Sequence, residues 1–144
     1  MRMFGLSRGR AREAQGAERA RAAAIVEFAV VLPLLLTILF GIIEYGYVFM
    51  VRQSLQHAAR EGCRLAALST SLPPYANVLS RVDDSLAGTG LTTYDAQVAS
   101  GVCEETVTVT IPYNDVSIVG GFFGTLDIDL TGACTMRKEG CTPP

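Results

Sequence analysis

Two sets of side chains in this sequence could do chemistry: a carboxylate at the edge of a long apolar run, and four cysteines beyond it. The carboxylate is Glu27. Between it and Glu44 lie sixteen residues without a charge. An isolated charge at the centre of a bilayer costs roughly 2.5–3.5 kcal/mol on insertion scales, and less near a helix end. Glu27 therefore has two readings. It is an interfacial carboxylate at the inner edge of a span, or a buried one that needs a cationic partner inside an assembly. Physics alone leaves both open. The cysteines are Cys63, Cys103, Cys134 and Cys141. An even number on one side of a span suggests an oxidising compartment and two disulfides. With no C-x-x-C pair, neither a zinc ribbon nor a thioredoxin-type site is expected, and no metal ligands are assigned.

The remaining inventory argues against catalysis. There is no G-x-S-x-G elbow, no phosphate-cradling glycine loop and no H-E-x-x-H. His57 is the sole histidine, so Ser/His and Cys/His arrangements have few ways to assemble. Asp83-Asp84 and Glu104-Glu105 are adjacent pairs, whose members point apart on a strand and about 100° apart on a helix. They read as solvated surface. No catalytic residue and no cofactor is expected, and the chain reads as a non-enzyme.

The elements that position these groups begin with residues 22–51, AAAIVEFAVVLPLLLTILFGIIEYGYVFMV. A helix rises about 1.5 Å per residue, and about 20 apolar residues cross a hydrocarbon core roughly 30 Å thick. Val26 to Tyr45 supplies that length, so residues 23–51 read as one membrane-spanning helix. Pro33 should kink or loosen it. Gly41 and Gly46 are five apart, so the GxxxG packing signal is absent. Tyr45, Tyr47 and Phe49 sit where an aromatic belt would.

The net charge of −2 conceals a polarised chain. Residues 1–24 carry six arginines against Glu13 and Glu18, and residues 65–144 carry three basic groups against nine acidic ones. Basic flanks stay cytoplasmic. Residues 1–22 thus read as an unstructured cytoplasmic leader, and the C-terminal part as extracytoplasmic. The arginines serve topology rather than nucleic acid.

Beyond the span, Leu55, Ala58, Ala59, Gly62 and Ala66 keep helical spacing, so residues 52–68 read as an amphipathic continuation resting on a C-terminal domain. Residues 69–144 form that domain. The Ser69–Tyr75 stretch, with Pro73-Pro74, breaks the helix. Val78, Leu79, Val82 and Leu86 mark a second helix over 76–87, ended by Gly88 and Gly90. Residues 94–99 read as a short strand. Val107, Val109 and Ile111 alternate with threonines, as Leu126, Ile128 and Leu130 alternate with Asp127, Asp129 and Thr131. Pairing the two antiparallel with apolar faces together sets Ile111 against Leu126, Val109 against Ile128 and Val107 against Leu130. Cys103 then faces Cys134, which predicts a Cys103–Cys134 disulfide and leaves Cys63–Cys141. The rival pairing is Cys134–Cys141 with Cys63–Cys103. Phe122 and Phe123, in the segment between the strands, either cap the core or form a contact surface. The fold class is α+β: a long N-terminal helix packed on a small antiparallel sheet.

One segment carries more. Arg21-Ala22-Ala23-Ala24-Ile25-Val26-Glu27-Phe28 followed by Ala29-Val30-Val31-Leu32-Pro33, then Gly41-Ile42-Ile43-Glu44-Tyr45-Gly46 and Ala58-Ala59-Arg60-Glu61-Gly62, resembles TadE-like pseudopilins of the tight-adherence (Flp-type, type IVb) pilus system. The likeness covers roughly residues 21–68. It implies cleavage by a bacterial prepilin peptidase between Ala22 and Ala23, with Phe28 part of the recognised sequence. It implies that Glu27 pairs with the new N-terminal amine of a neighbouring subunit. Ala22 departs from the family, which usually has glycine before the cut. The function implied is a non-enzymatic minor pseudopilin that assists assembly or initiation of the pilus from the inner membrane. Its partners would be other pilins or pseudopilins, the assembly platform and the bilayer, with no nucleic acid. The alternative is an uncleaved single-span anchor carrying an extracytoplasmic binding or adhesin domain.

Overall fold

A computed structural model of the chain describes residues 6–68, 73, 75–120 and 127–141. The elements in order are helix α1 (Leu6–Ala66), helix α2 (Ala76–Leu86), strand β1 (Asp95–Ser100), strand β2 (Glu104–Pro112), a single helical turn α3 (Tyr113–Val116) and strand β3 (Asp129–Arg137). The chain divides into two units, residues 1–42 and 43–144.

The first unit is the N-terminal part of α1. The helix begins at Leu6, so most of the expected unstructured leader is helical. Ala, Arg, Glu and Gln dominate residues 10–24, and each favours the helical state. Proline does not interrupt α1, which runs through Pro33. The Thr37 hydroxyl donates to the Pro33 carbonyl at 2.8 Å, one turn away. Large apolar side chains stand exposed around this unit, Ile25, Phe28, Val30, Leu34, Ile38 and Ile42 among them. An exposed sleeve with no polar face is what a helix presents to lipid or to like helices. Among the described residues α1 is the one helix long and apolar enough to cross a membrane.

The second unit is an α+β domain. Its sheet has the order β1-β2-β3, all antiparallel. The C-terminal part of α1 lays Val51, Leu55, Ala58, Ala59, Cys63 and Ala66 into the core, on the spacing expected of an amphipathic extension. α2 adds Val78, Val82 and Leu86. β2 contributes Val107, Val109 and Ile111, and its burial alternates from Glu104 to Pro112 as a strand with one covered face must. Two glycines set how closely the layers approach. A Cβ on Gly62 would meet Val82 Cγ2 at 2.8 Å. A Cβ on Gly132 would fall on the Leu55 carbonyl and within 2.6 Å of the Gln56 nitrogen.

The β2–β3 register differs from the expected one. Ile111 faces Leu130, Val109 faces Gly132 and Val107 faces Cys134. β3 begins at Asp129, so the shift along the strand is four residues, and Ile128 is exposed. An even shift preserves which side chains face the core, so periodicity alone cannot detect it. The inward residues of β3 are Leu130, Gly132, Cys134 and Met136, a weaker apolar series than Leu126-Ile128-Leu130. Gly132 selects that series, because it lets the α1 backbone descend onto the sheet. Leu126, Phe122 and Phe123 lie outside the described residues.

The disulfide follows the register. Cys103 bonds to Cys141, with their Cα atoms 5.5 Å apart, in neither of the two pairings expected. With the strand shifted, Cys103 lies beside Lys138, whose N–H donates to the Cys103 carbonyl at 2.9 Å, and the chain then turns back through Cys141. Cys63 and Cys134 are thiols.

Candidate functional site

The expected processing segment lies on α1 in the first unit. Ala22, Ala23, Glu27 and Phe28 are all helical and all exposed, Phe28 by 62%. Ala23 and Glu27 are four residues apart, so their side chains share one face, about 5–6 Å between Cβ atoms. The Ala22–Ala23 peptide bond sits inside an unbroken helix, many residues from either end. A protease that reads an extended backbone must open that turn first.

The second unit builds a different carboxylate site. Glu44 follows the same stripe as Val48, Val51 and Leu55, and it is 6% exposed. One carboxylate oxygen accepts the Tyr113 hydroxyl at 2.8 Å. The other accepts the backbone N–H groups of Ile118 at 3.1 Å and Val119 at 3.0 Å. A buried charge is tolerated when donors surround it, and charge-assisted bonds are about twice as strong as neutral ones. Glu44 thereby ties the segment after β2 to the helix. The aromatic pair beside it, Tyr45 and Phe49, stacks at 6.4 Å on the exposed side.

A third carboxylate, Glu105, corrects the expectation that Glu104-Glu105 is surface. Glu104 is exposed, but Glu105 is 2% exposed. Its Oε1 receives the Tyr75 hydroxyl at 3.0 Å, the Ser100 hydroxyl at 2.9 Å and the Lys138 ammonium at 3.0 Å. Burial acts to raise its pKa, but the bonds from Lys138, Ser100 and Tyr75 outweigh it and hold the carboxyl below its ordinary value. Lys138 also donates to Ser100 and to the Gly101 carbonyl, closing the β1–β2 turn against the end of β3. His57 is exposed, and Asp83 and Asp84 lie on the exposed face of α2, as expected of solvated groups. Asp83 accepts the Tyr94 hydroxyl at 2.7 Å.

Sequence reasoning singled out Glu27 and passed over Glu44 and Glu105. Glu44 could have been found: spacings of four, seven and eleven link it to Val48, Val51 and Leu55, so helical periodicity places it on the buried stripe. Glu105 occupies an inward position of β2, in step with Val107 and Val109.

The segment that holds both Glu27 and Glu44 also carries the family signal. Residues 22–64 match the family model of TadE-like proteins. This segment is TadE-like. The match ends before α2 and the sheet begin. Within the TadE-like segment lie the exposed apolar helix, Glu27, Glu44 and nearly all of the small-residue stripe that docks on the domain. No curated protein and no solved structure matches the chain.

Proposed function

We propose that this chain is a minor pseudopilin, a non-enzymatic component that assists assembly or initiation of an Flp-type (type IVb) pilus. The observation that supports it is the TadE-like match across residues 22–64, over a helix whose apolar side chains are exposed around its whole circumference. On this reading, residues 23–43 of the expected 23–51 stretch span the bacterial inner membrane, because Glu44, Val48 and Val51 are packed into the domain beyond it. The basic leader, residues 1–22, stays in the cytoplasm, and residues 44–144 lie outside. A prepilin peptidase removes the leader between Ala22 and Ala23. Glu27 then meets the N-terminal amine of a neighbouring subunit, with the assembly platform and other pilins as partners. Lipid supplies no hydrophobic drive for association between such helices, so side-chain packing and this charge pair must provide it. Apart from the charge pair, the exposed sleeve offers neighbours only packing surfaces.

The test is a Glu27→Ala substitution in a null background. The variant should insert into the membrane at normal abundance and fail to restore piliation, while Glu27→Asp restores part of it. Normal piliation by Glu27→Ala would contradict the assigned role.

A second reading is an uncleaved, single-span anchor for an extracytoplasmic binding or adhesin domain. Two observations favour it: Ala22 in the position before the cut, and the continuous helix through the Ala22–Ala23 bond. Under it, piliation would be indifferent to Glu27.

A further inference from the structure

Cys63 and Cys134 are not strangers in the core. Cys63, on α1, is fully buried, and its thiol donates to the Glu105 carbonyl at 3.5 Å. Cys134 is half-buried and packs against the same core cluster that contains Cys63. Cys134 is on the helix-facing side of β3, directly across from Val107 and two residues from Gly132. Gly132 is where strand and helix make backbone contact, at Leu55, so the layers are drawn together along this stretch. The remaining cysteines are already joined, Cys103 to Cys141. A chain that acquires one disulfide has met a thiol oxidant, and the two cysteines left over pack in the same core.

We propose that Cys63 and Cys134 are oxidised to a second disulfide that staples α1 to β3. This rests on the proposed extracytoplasmic placement of the domain. The oxidant is by class a protein or small-molecule disulfide. The Cys134 thiolate attacks one oxidant sulfur, forms a mixed disulfide and releases the other as a thiol. The Cys63 thiolate then attacks the Cys134 sulfur, and the second oxidant thiol leaves. Two thiols are oxidised, one disulfide is reduced, and the two protons pass to the departing thiolates. In the closed domain Cys63 is fully buried, and burial raises its pKa. The bond would close a loop from the base of the apolar helix to the last strand. It would hold the C-terminal part of α1 against β3 even if the packing between them were pulled apart.

The experiment uses the full wild-type chain from bacterial membranes, so no variant has to fold. Free thiols are blocked with N-ethylmaleimide in acidified denaturant, and the chain is digested without reduction. Trypsin frees Cys63 on Glu61–Arg64, and a glutamate-specific protease separates Cys103 from Cys134 at Glu104 and Glu105. The expected result is a peptide pair joining 63 to 134, a second joining 103 to 141, and loss of maleimide label at all four positions. Label on Cys63 and Cys134 beside an intact 103–141 link would overturn the proposal and leave the extracytoplasmic placement standing. Label at all four would overturn both. A link from Cys63 to 103 or 141 would overturn the proposal by connectivity.

Discussion

At the scale of single residues, three carboxylates divide the work according to what surrounds them. Glu27 is exposed on an apolar helix, Glu44 is held by one hydroxyl and two backbone amides, and Glu105 by a lysine and two hydroxyls. Replacing Glu44 with Ala leaves the Ile118 and Val119 amides and the Tyr113 hydroxyl without their acceptor. Leaving buried donors unsatisfied costs about 1–3 kcal/mol each at most, and relaxation recovers part of that. Glu44→Ala should lower the stability of the full chain in detergent by about 3 kcal/mol and expose the segment after β2 to limited proteolysis. Wild-type proteolysis of that segment would show that Glu44 does not hold it. Glu105 gives a pH signature. Its folded pKa is depressed, so its contribution is fully present above the unfolded carboxylate value and is lost as pH falls through the folded one. Denaturation midpoints should fall on acidification below about pH 4.3, the ordinary glutamate value. In Glu105→Gln that acid-side slope should be shallower, and an unchanged slope would exclude Glu105 as its source.

At the scale of elements, α1, α2 and β2 were legible because each has one covered face and a period that says so. Val51 to Ala66, Val78 to Leu86, and Val107 to Ile111 needed only spacing. β3 was not. Leu126-Ile128-Leu130 and Leu130-Gly132-Cys134-Met136 share the same alternation, and the better apolar series is not the one used. A glycine chosen for a close backbone approach carries no hydrophobic signal, and the disulfide expectation went astray with the register. The N-terminal boundary of α1 differs from expectation for another reason. Charge suggests disorder, but alanine-rich, Arg/Glu-rich sequence has high helix propensity. Gly132→Ala tests the approach. It drives a methyl into the Leu55 carbonyl and should cost about 1–3 kcal/mol. Gly46→Ala, with open space around its Cβ position, should be neutral or slightly stabilising because helix propensity improves. Equal effects of the two in chemical denaturation would mean that Gly132 does not set the distance between helix and sheet.

At the scale of the whole molecule, one helix belongs to both units, with its apolar side chains largely exposed from Ile25 to Ile42 and one stripe buried from Glu44 to Ala66. The TadE-like segment covers most of that change of environment. The proposed function depends on what happens at its cytoplasmic end, where cutting one peptide bond would create an amine one turn from Glu27. The direct measurement is the mass of the mature N-terminus, taken on the full chain from cells with and without the prepilin peptidase. The account predicts a chain beginning at Ala23 when the peptidase is present and an uncut Met1 chain when it is absent. An intact leader in both would contradict it.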